Sequence, residues 1–344
     1  MESYLLKYIT RRVLIIVPTI IGITFIFFVI INLAPGGPIE KKIQEMKFGH
    51  LMGQQDSGPS KSLITEEALI ALKKQYGFDK PVITRYFLWL KNLSHFDFGE
   101  SYTYGIPAMD VITSRFPVSL QFGLTSFFLT YLISIPLGLF KAIKHQSFFD
   151  LSTSFILFLA YSIPGFMLAI VLIVYFSGGN FLDIFPIGGL YSDQYESLSF
   201  WGKFGDRIHH FILPLFCYVI GQFTVLTLIV KNSVLEEVKK DYIRTARSKG
   251  LSENKVIFKH ALKNALIPVV TGLGGFLTVF FSGSLLLEVI FQLDGIGLLS
   301  YKAVLERDYT VLMASTFLQT ILMLIGNLMS DIAYVFVDPR IDYK

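Results

Sequence analysis

The chain is poor in charge. Only 16% of its 344 residues are Asp, Glu, Lys or Arg, against about 25% in ordinary soluble domains. It has a single cysteine, Cys217, which excludes an internal disulfide and a cysteine-based zinc site. Nowhere does it carry the G-x-x-x-x-G-K-[ST] run that cradles nucleotide phosphates, nor H-E-x-x-H or G-x-S-x-G, so phosphate, zinc-hydrolase and serine-hydrolase chemistry have no foothold. The net charge is only +4, without the basic face of a nucleic-acid binder. What fills the space is apolar: 53% hydrophobic residues, including 33 Phe and 17 Tyr. That composition belongs to the membrane class.

A hydrocarbon layer of about 30 Å takes about 20 apolar residues in helix. Six segments qualify: 13–34, 118–140, 151–176, 211–230, 266–290 and 311–337. Each is expected to be helical, because lipid offers the backbone no hydrogen-bond partner. The first follows Lys7, Arg11 and Arg12 like a signal peptide, but its apolar run is too long for one and "NLAPGGP" offers no well-placed small-x-small site, so a retained helix is expected. With the N-terminus inside, the segments 1–12, 141–150, 231–265 and 338–344 hold 16 Lys and Arg in 64 residues, against 14 in the 137 residues of 35–117, 177–210 and 291–310. The positive-inside rule then puts both termini in the cytoplasm. Pro18, Pro136, Pro164, Pro214 and Pro268 fall in the first five spans. They read either as tolerated kinks or as bends that leave a cavity for a bulky solute.

The segment 35–117 is long for a plain loop. "ITEEALIALKKQYGFDKP" reads as a short helix from an N-cap at Thr65 to a stop at Gly77. "PVITRYFLWLKNL" is expected to lie along the membrane interface, and "FGHLMGQQDSGPSKS" to be loose and polar. The result is an external cap without a large core of its own. It serves either as packing over helix ends or as a docking surface for an extracytoplasmic partner.

The stretch 231–263, "KNSVLEEVKKDYIRTARSKGLSENKVIFKHALK", carries nine Lys and Arg. Val234, Leu235, Val238, Tyr242 and Ala246 recur at helical spacing, Gly250 interrupts, and Ser252 is placed to cap a second helix. Anchoring to anionic lipid would explain the charge. It would not explain Ala246 and Gly250 four apart, which read as a bare patch for another protein's surface.

"YIRTARSKG" followed by "KHALKNALIP" resembles the EAA loop of importer-type ABC transporter permeases. Arg244-Thr245-Ala246 stand for Glu-Ala-Ala, Gly250 for the motif glycine, and Lys263 occupies a position where proline is common. "YITRRVLIIVPTIIGITFIFFVIINLAPGGP", "FDFGES", "SIPLGLFKA", "GSLLLEVIFQLDGIGLLSYKAVLERDY" and "DPRID" extend the likeness along nearly the whole chain, to the B-type permeases of dipeptide and oligopeptide importers. Within that group it looks most like the Yej-type permeases associated with peptide and microcin C uptake, by "APGGPIE", "YGFDKPV..RYF" and "VKNSVLEEVKKDY".

The resemblance implies an all-α, six-span type I permease fold in a bacterial inner membrane. Its parts are the first helix and cytoplasmic end in 1–34, a periplasmic insertion in 35–117, a five-helix core in 118–337 containing the cytoplasmic loop 231–265, and a cytoplasmic tail in 338–344. It implies a second permease, two ATP-binding subunits that hold ATP and Mg, and a periplasmic substrate-binding protein. Arg244, Thr245, Ala246, Gly250, Leu251 and Lys263 would form the loop that sits in an ATPase groove.

Gln121, Gln222, Thr278 and Gln319 are polar residues within spans that either line a solute path or glue helices together. Glu288 and Asp331 sit near span ends, which suits solvated or capped carboxylates. His209 and His210 have no third ligand nearby in sequence, which suits an interfacial place. Two other classes remain in view. A secondary transporter driven by an ion gradient should show internal repeats or midplane charges, and a membrane-embedded enzyme should show an acid–base or metal cluster. The sequence displays none of these.

Overall fold

The computed structural model describes residues 2–51, 70, 73–74, 77–178, 181–272 and 283–337. Among them the chain is helical, with extended pairing confined to isolated bridges at Glu100–Pro107 and Ser177–Phe185. The helices are α1 (Glu2–Leu33), α2 (Pro38–Leu51), α3 (Val82–Leu93), α4 (Ala108–Ile143), α5 (Phe148–Ser162), α6 (Gly165–Phe176), α7 (Phe200–Glu237), α8 (Asp241–Ser248), α9 (Ile267–Thr271), α10 (Leu285–Ile290), α11 (Ile296–Glu306) and α12 (Tyr309–Val337). Short helical turns lie between α8 and α9.

Four of these helices, α1, α4, α7 and α12, contain windows long and apolar enough to cross a membrane. The expected third span, 151–176, is not one rod. It breaks between α5 and α6 with a bend of 93°. Pro164 has no N–H to continue the ladder and pushes the preceding Ile163 to an extended conformation, φ −92° and ψ 119°. Pro18, Pro136 and Pro214 stay inside continuous helices. Pro268 sits in the first turn of α9, where a missing N–H costs nothing. The fifth expected span is described only at its ends, by α9 and α10. Its residues 273–282, Thr278 among them, lie outside the described residues.

The chain divides into two compact units, a smaller one of residues 13–115 and 299–321 and a larger one of the rest. In the smaller unit, the segment expected to be a cap without a large core of its own shares one with the helices around it. Tyr86, Phe98, Val111 and Ile112 are buried with Phe28 and Ile31 of α1 and with Leu299, Tyr309, Leu312 and Met313. α3 buries one side in that core and leaves Ile83 and Phe87 exposed on the other. Tyr86 is 2% exposed; its hydroxyl donates to the Ile21 carbonyl at 2.8 Å and shares a hydrogen bond with Thr24 Oγ1 at 2.9 Å. The polar start expected at 48–62 is partly helical, since α2 runs to Leu51, and the rest of it falls outside the described residues. So do Thr65 and its expected cap, whereas Lys73 and Lys74 are helical and Gly77 turns the chain at φ +68°.

Asp308 caps α12 by accepting from the Val311 N–H at 3.2 Å, and also accepts from the Thr103 N–H at 3.1 Å and from the Ser101 hydroxyl. One carboxylate thereby closes both a helix start and the 99–107 turn. The "APGGP" exit is held by Arg307, whose guanidinium donates to the Pro35 carbonyl at 2.7 Å.

In the larger unit α4 and α7 touch at Gly138. A Cβ there would stand 2.7 Å from both the Thr227 carbonyl oxygen and the Val230 Cβ. Leu139, Ala142, Leu226, Val230 and Val234 bury around the contact, and Ile257, Ala265 and Val269 join the same core. Nearby, Asp150 at the start of α5 is clamped between two lysines. Lys231 Nζ of α7 lies 2.7 Å from Asp150 Oδ1, and Lys141 Nζ of α4 lies 3.2 Å from it. Lys141 is fully buried and donates to Thr153 Oγ1 at 2.6 Å, Ser154 Oγ at 2.8 Å and the Asp150 carbonyl at 2.9 Å. α4, α5 and α7 are thus tied at one end by a buried charge cluster whose members are all paired.

Replacing Gly138 by Val should cost on the order of 2 kcal/mol, because even its Cβ meets the Thr227 carbonyl oxygen and the stiff β-branched side chain of Val230. A thermal-unfolding series in detergent checks this. Gly22→Ala in α1, where nothing lies within 4 Å of the added Cβ, should leave the midpoint unchanged or raise it. Tyr86→Phe should lower stability by about 1 kcal/mol through its lost hydroxyl bonds, read in the same assay.

Candidate functional site

The basic loop folds as helix, glycine turn, helix, with a shift of phase from the simple periodic reading. α7 ends at Glu237, and residues 238–240 interrupt it before α8. The Glu237 carboxylate accepts from both Lys240 Nζ and the Tyr242 hydroxyl. Tyr242 is therefore drawn to the polar side, and Ile243, not Tyr242, takes the buried place. Glu237 also raises the Lys240 pKa through that hydrogen bond.

α8 has Asp241 in its first turn and Arg247 in its last, the order the helix dipole favours. It ends at Gly250, whose φ of +74° is the left-handed conformation glycine adopts without a Cβ penalty. The Gly250 N–H bonds the Arg247 carbonyl at 2.9 Å. Across the turn Arg247 forks onto Glu253, with contacts of 2.6 and 3.1 Å. Those bonds hold the Glu253 carboxyl below the usual carboxylate range and raise the Arg247 pKa. Ser252 occupies the N-cap position of the second helix, but its side chain makes no capping bond. The descending arm then widens to a π turn at Val256–Ala261.

Ala246 departs from the bare-patch expectation. It is 7% exposed and packs with Ile243, Val256 and Ala261 inside the elbow. Its small side chain lets α8 lie close on the descending arm. Arg244, Thr245, Gly250, Leu251 and Lys263 are all exposed, and nothing lies within 4 Å of a Cβ built at Gly250. The arm's Ile257 and Ala265 belong to the core that contains Val230 of α7 and Leu139 of α4. The arm thus packs into the interior of α4 and α7, beside the elbow's own small cluster.

A second feature is a chamber of about 870 Å³ in the larger unit, at the α5–α6 break. Ile163, Pro164 and Gly165 form part of its wall, with Tyr131 and Thr130 of α4, Tyr161 of α5, and Tyr218 and Gln222 of α7. Of the four residues nominated for a solute path, Gln222 lines it. Gln121 instead bonds the Pro117 carbonyl at 3.0 Å and Arg207 at 3.3 Å. Gln319 is half-buried on α12 in the smaller unit. The three tyrosines were missed because among 17 they carry no special spacing; only Pro164 marked the place.

Glu288 is 0% exposed, so it is a capped carboxylate and not a solvated one. It accepts from Ser119 Oγ at 2.8 Å, the Leu298 N–H at 3.0 Å and the Tyr218 hydroxyl at 3.4 Å. A Cβ at Gly283, Gly295 or Gly297 would stand 2.3, 2.6 or 3.0 Å from its carboxylate oxygens. Tyr218 in turn accepts from the Ser284 N–H at 3.0 Å, which joins this carboxylate to the chamber wall. Asp331 is paired with Arg12 at 3.2 Å. His210 is buried and its Nδ1 lies 2.9 Å from the Asp206 carbonyl; His209 Nε2 lies 2.5 Å from that of Ile184. Among the described residues no group of three His, Cys, Asp or Glu is gathered as metal ligands.

Residues 134–343 match the family described as binding-protein-dependent transport system inner membrane component. The chain is 41% identical to the peptidoglycan transport system permease protein YejB of Agrobacterium fabrum, over 98% of each chain. It is 40% identical to the inner membrane ABC transporter permease protein YejB of Escherichia coli O157:H7, over 98% of this chain and 99% of that one. It is 38% identical to the oligopeptide transport system permease protein AppB of Bacillus subtilis, over 98% and 99%. With such likeness along its full length and several helices fit to cross a membrane, the chain belongs to the binding-protein-dependent transport system inner membrane components, the permease subunits of ABC importers.

Proposed function

We propose that this chain is one of two permeases in an ATP-driven importer of peptides or peptide-like compounds, with six spans, both termini in the cytoplasm and residues 35–117 outside. The full-length likeness to two YejB permeases and an oligopeptide permease carries the reading. Those relatives are named for peptidoglycan and oligopeptide transport, and both substrates carry peptide bonds. Compounds of the microcin C kind are the finer expectation, resting on the Yej-type resemblance. Two ATP-binding subunits would hold ATP and Mg, and an extracytoplasmic binding protein would deliver the solute.

In this reading the exposed face of the elbow, from Arg244 and Thr245 to Gly250, Leu251 and Lys263, seats in a groove of an ATPase subunit. Closure of the ATPases pushes the elbow. The push reaches α4 and α7 through the core of Val230, Leu139, Ile257 and Ala265. Those two helices carry Tyr131, Tyr218 and Gln222 of the chamber wall, so the chamber is the part of this chain that would open alternately to the two sides. The bond from Lys231 to Asp150 makes α5 follow.

Two experiments test this. Cys217 is the one cysteine and is buried, so Leu251→Cys and Phe200→Cys each supply a single accessible thiol. In intact cells an impermeant maleimide should label Phe200→Cys alone, with Leu251→Cys reacting only after the cytoplasmic face is opened. Labelling of Leu251→Cys from outside would overturn the orientation and the coupling together. In the reconstituted complex, Gly250→Arg should leave the protein inserted but reduce solute-stimulated ATP hydrolysis by at least about tenfold, through left-handed strain and a blocked groove. Gly250→Ala carries the strain alone and should fall between. Uptake should require ATP and survive collapse of the proton gradient.

A further inference from the structure

The chamber at the α5–α6 break has a buried carboxylate directly behind its wall. Tyr218, Gly283 and Ser284 all line the chamber, and a Cβ added at Gly283 would stand 2.3 Å from Glu288 Oε1. The Tyr218 side chain is fixed at both its hydroxyl and its ring. The hydroxyl donates to Glu288 Oε1 at 3.4 Å and accepts from the Ser284 N–H at 3.0 Å. The ring is stacked on Phe122 of α4, with centroids 5.6 Å apart and planes 16° apart, and Phe122 is stacked in turn on Phe211 at 4.1 Å. Phe122 is fully buried. That side of the tyrosine is closed by packed rings, so the open side for a Tyr218 ring released at its hydroxyl is the chamber.

Holding the hydroxyl takes an acceptor on both oxygens of residue 288. Oε1 receives the Ser119 and Tyr218 hydroxyls, and Oε2 receives the Leu298 N–H at 3.0 Å. A carboxylate accepts on both sides. An amide of the same shape does not, because its nitrogen would face either the two hydroxyls or the backbone N–H. The hydroxyls can turn away and the backbone N–H cannot, so a glutamine here would give up the bond from Tyr218.

We propose that Glu288 is a positioning residue for solute passage: it holds the Tyr218 ring back against Phe122 and so sets how bulky a solute the chamber admits. This rests on the importer reading, in which the chamber is the solute's path. Glu288 itself touches no solute; it acts through Tyr218. Ring and carboxylate together form a width stop in the wall, and the selection they impose is by size, whatever the solute's charge.

The reconstituted complex is given saturating binding protein loaded with tri-alanine or with tri-phenylalanine, and ATP-dependent uptake of each is measured. The binding protein's own preference is common to every variant and drops out of the comparison. Glu288→Gln should lower the rate for tri-phenylalanine relative to tri-alanine about fivefold, the shift in population that one lost hydrogen bond of ordinary strength brings. Tyr218→Phe keeps the ring and loses its bonds; it should do the same, and it carries the test if Glu288→Gln does not fold. Tyr218→Ala removes the ring, and the ratio should then be equal with Glu or with Gln at position 288. Ser119→Ala takes a different donor from the same carboxylate, so it should lower the thermal midpoint and leave the ratio unchanged. A purely structural carboxylate would instead lower both rates by one factor in every variant. That result would overturn the role, as would a ratio that Glu288→Gln still lowers in the Tyr218→Ala background, or one that Ser119→Ala lowers equally. Uptake of both peptides with an unchanged ratio sinks the positioning role and leaves the importer standing. No ATP-dependent uptake by the unaltered complex sinks the importer reading, and this role with it.

Discussion

A carboxylate buried inside this chain is met by other groups of the chain, because an apolar interior offers it nothing in exchange. That constraint explains features that look unrelated. Glu288 is enclosed by donors from α4, α7 and the start of α11, and three glycines leave room for its two oxygens. Asp150 lies between Lys141 and Lys231. The Tyr86 hydroxyl finds Thr24 and the backbone of α1. Losing one partner from a buried charged set such as Asp150 with Lys141 and Lys231 typically costs about 3–5 kcal/mol.

The same requirement shapes the route from elbow to spanning helices. The elbow has its own small interior of Ile243, Ala246, Val256 and Ala261, which makes it a solid piece. Its descending arm is part of the core around Val230 and Val234. The elbow thus combines an exposed, charged outer face with a packed apolar inner one.

Much of this was legible in the sequence. Runs of some 20 apolar residues announce spanning helices whatever their neighbours are, and Gly250 announces a turn because few other residues tolerate its backbone angles. What stayed hidden depends on contacts between distant segments. Pro136, Pro164 and Pro214 look alike in sequence, yet only Pro164 breaks its span. The slip of phase after Glu237 follows from a carboxylate collecting Lys240 and Tyr242, which no periodic pattern encodes. Ala246 was rightly singled out as small, but smallness serves packing within the elbow as readily as contact with a partner, and only burial tells the two apart. Gln121 and Gln222 are equivalent as letters; one is engaged by Arg207 and the other lines a chamber.

The contact at Gly138 has a mechanical consequence. Where a backbone oxygen occupies the space a methyl group would need, and Ser134 one turn earlier donates to the Phe223 carbonyl of the facing helix at 3.1 Å, two rods have no clearance in which to slip. Sliding α4 along α7 at this point would drive the Gly138 backbone against that oxygen and break the Ser134 bond, so the two helices are locked in register here, whereas α5 and α6 meet at a joint, Ser162 to Gly165, that is already bent by 93°.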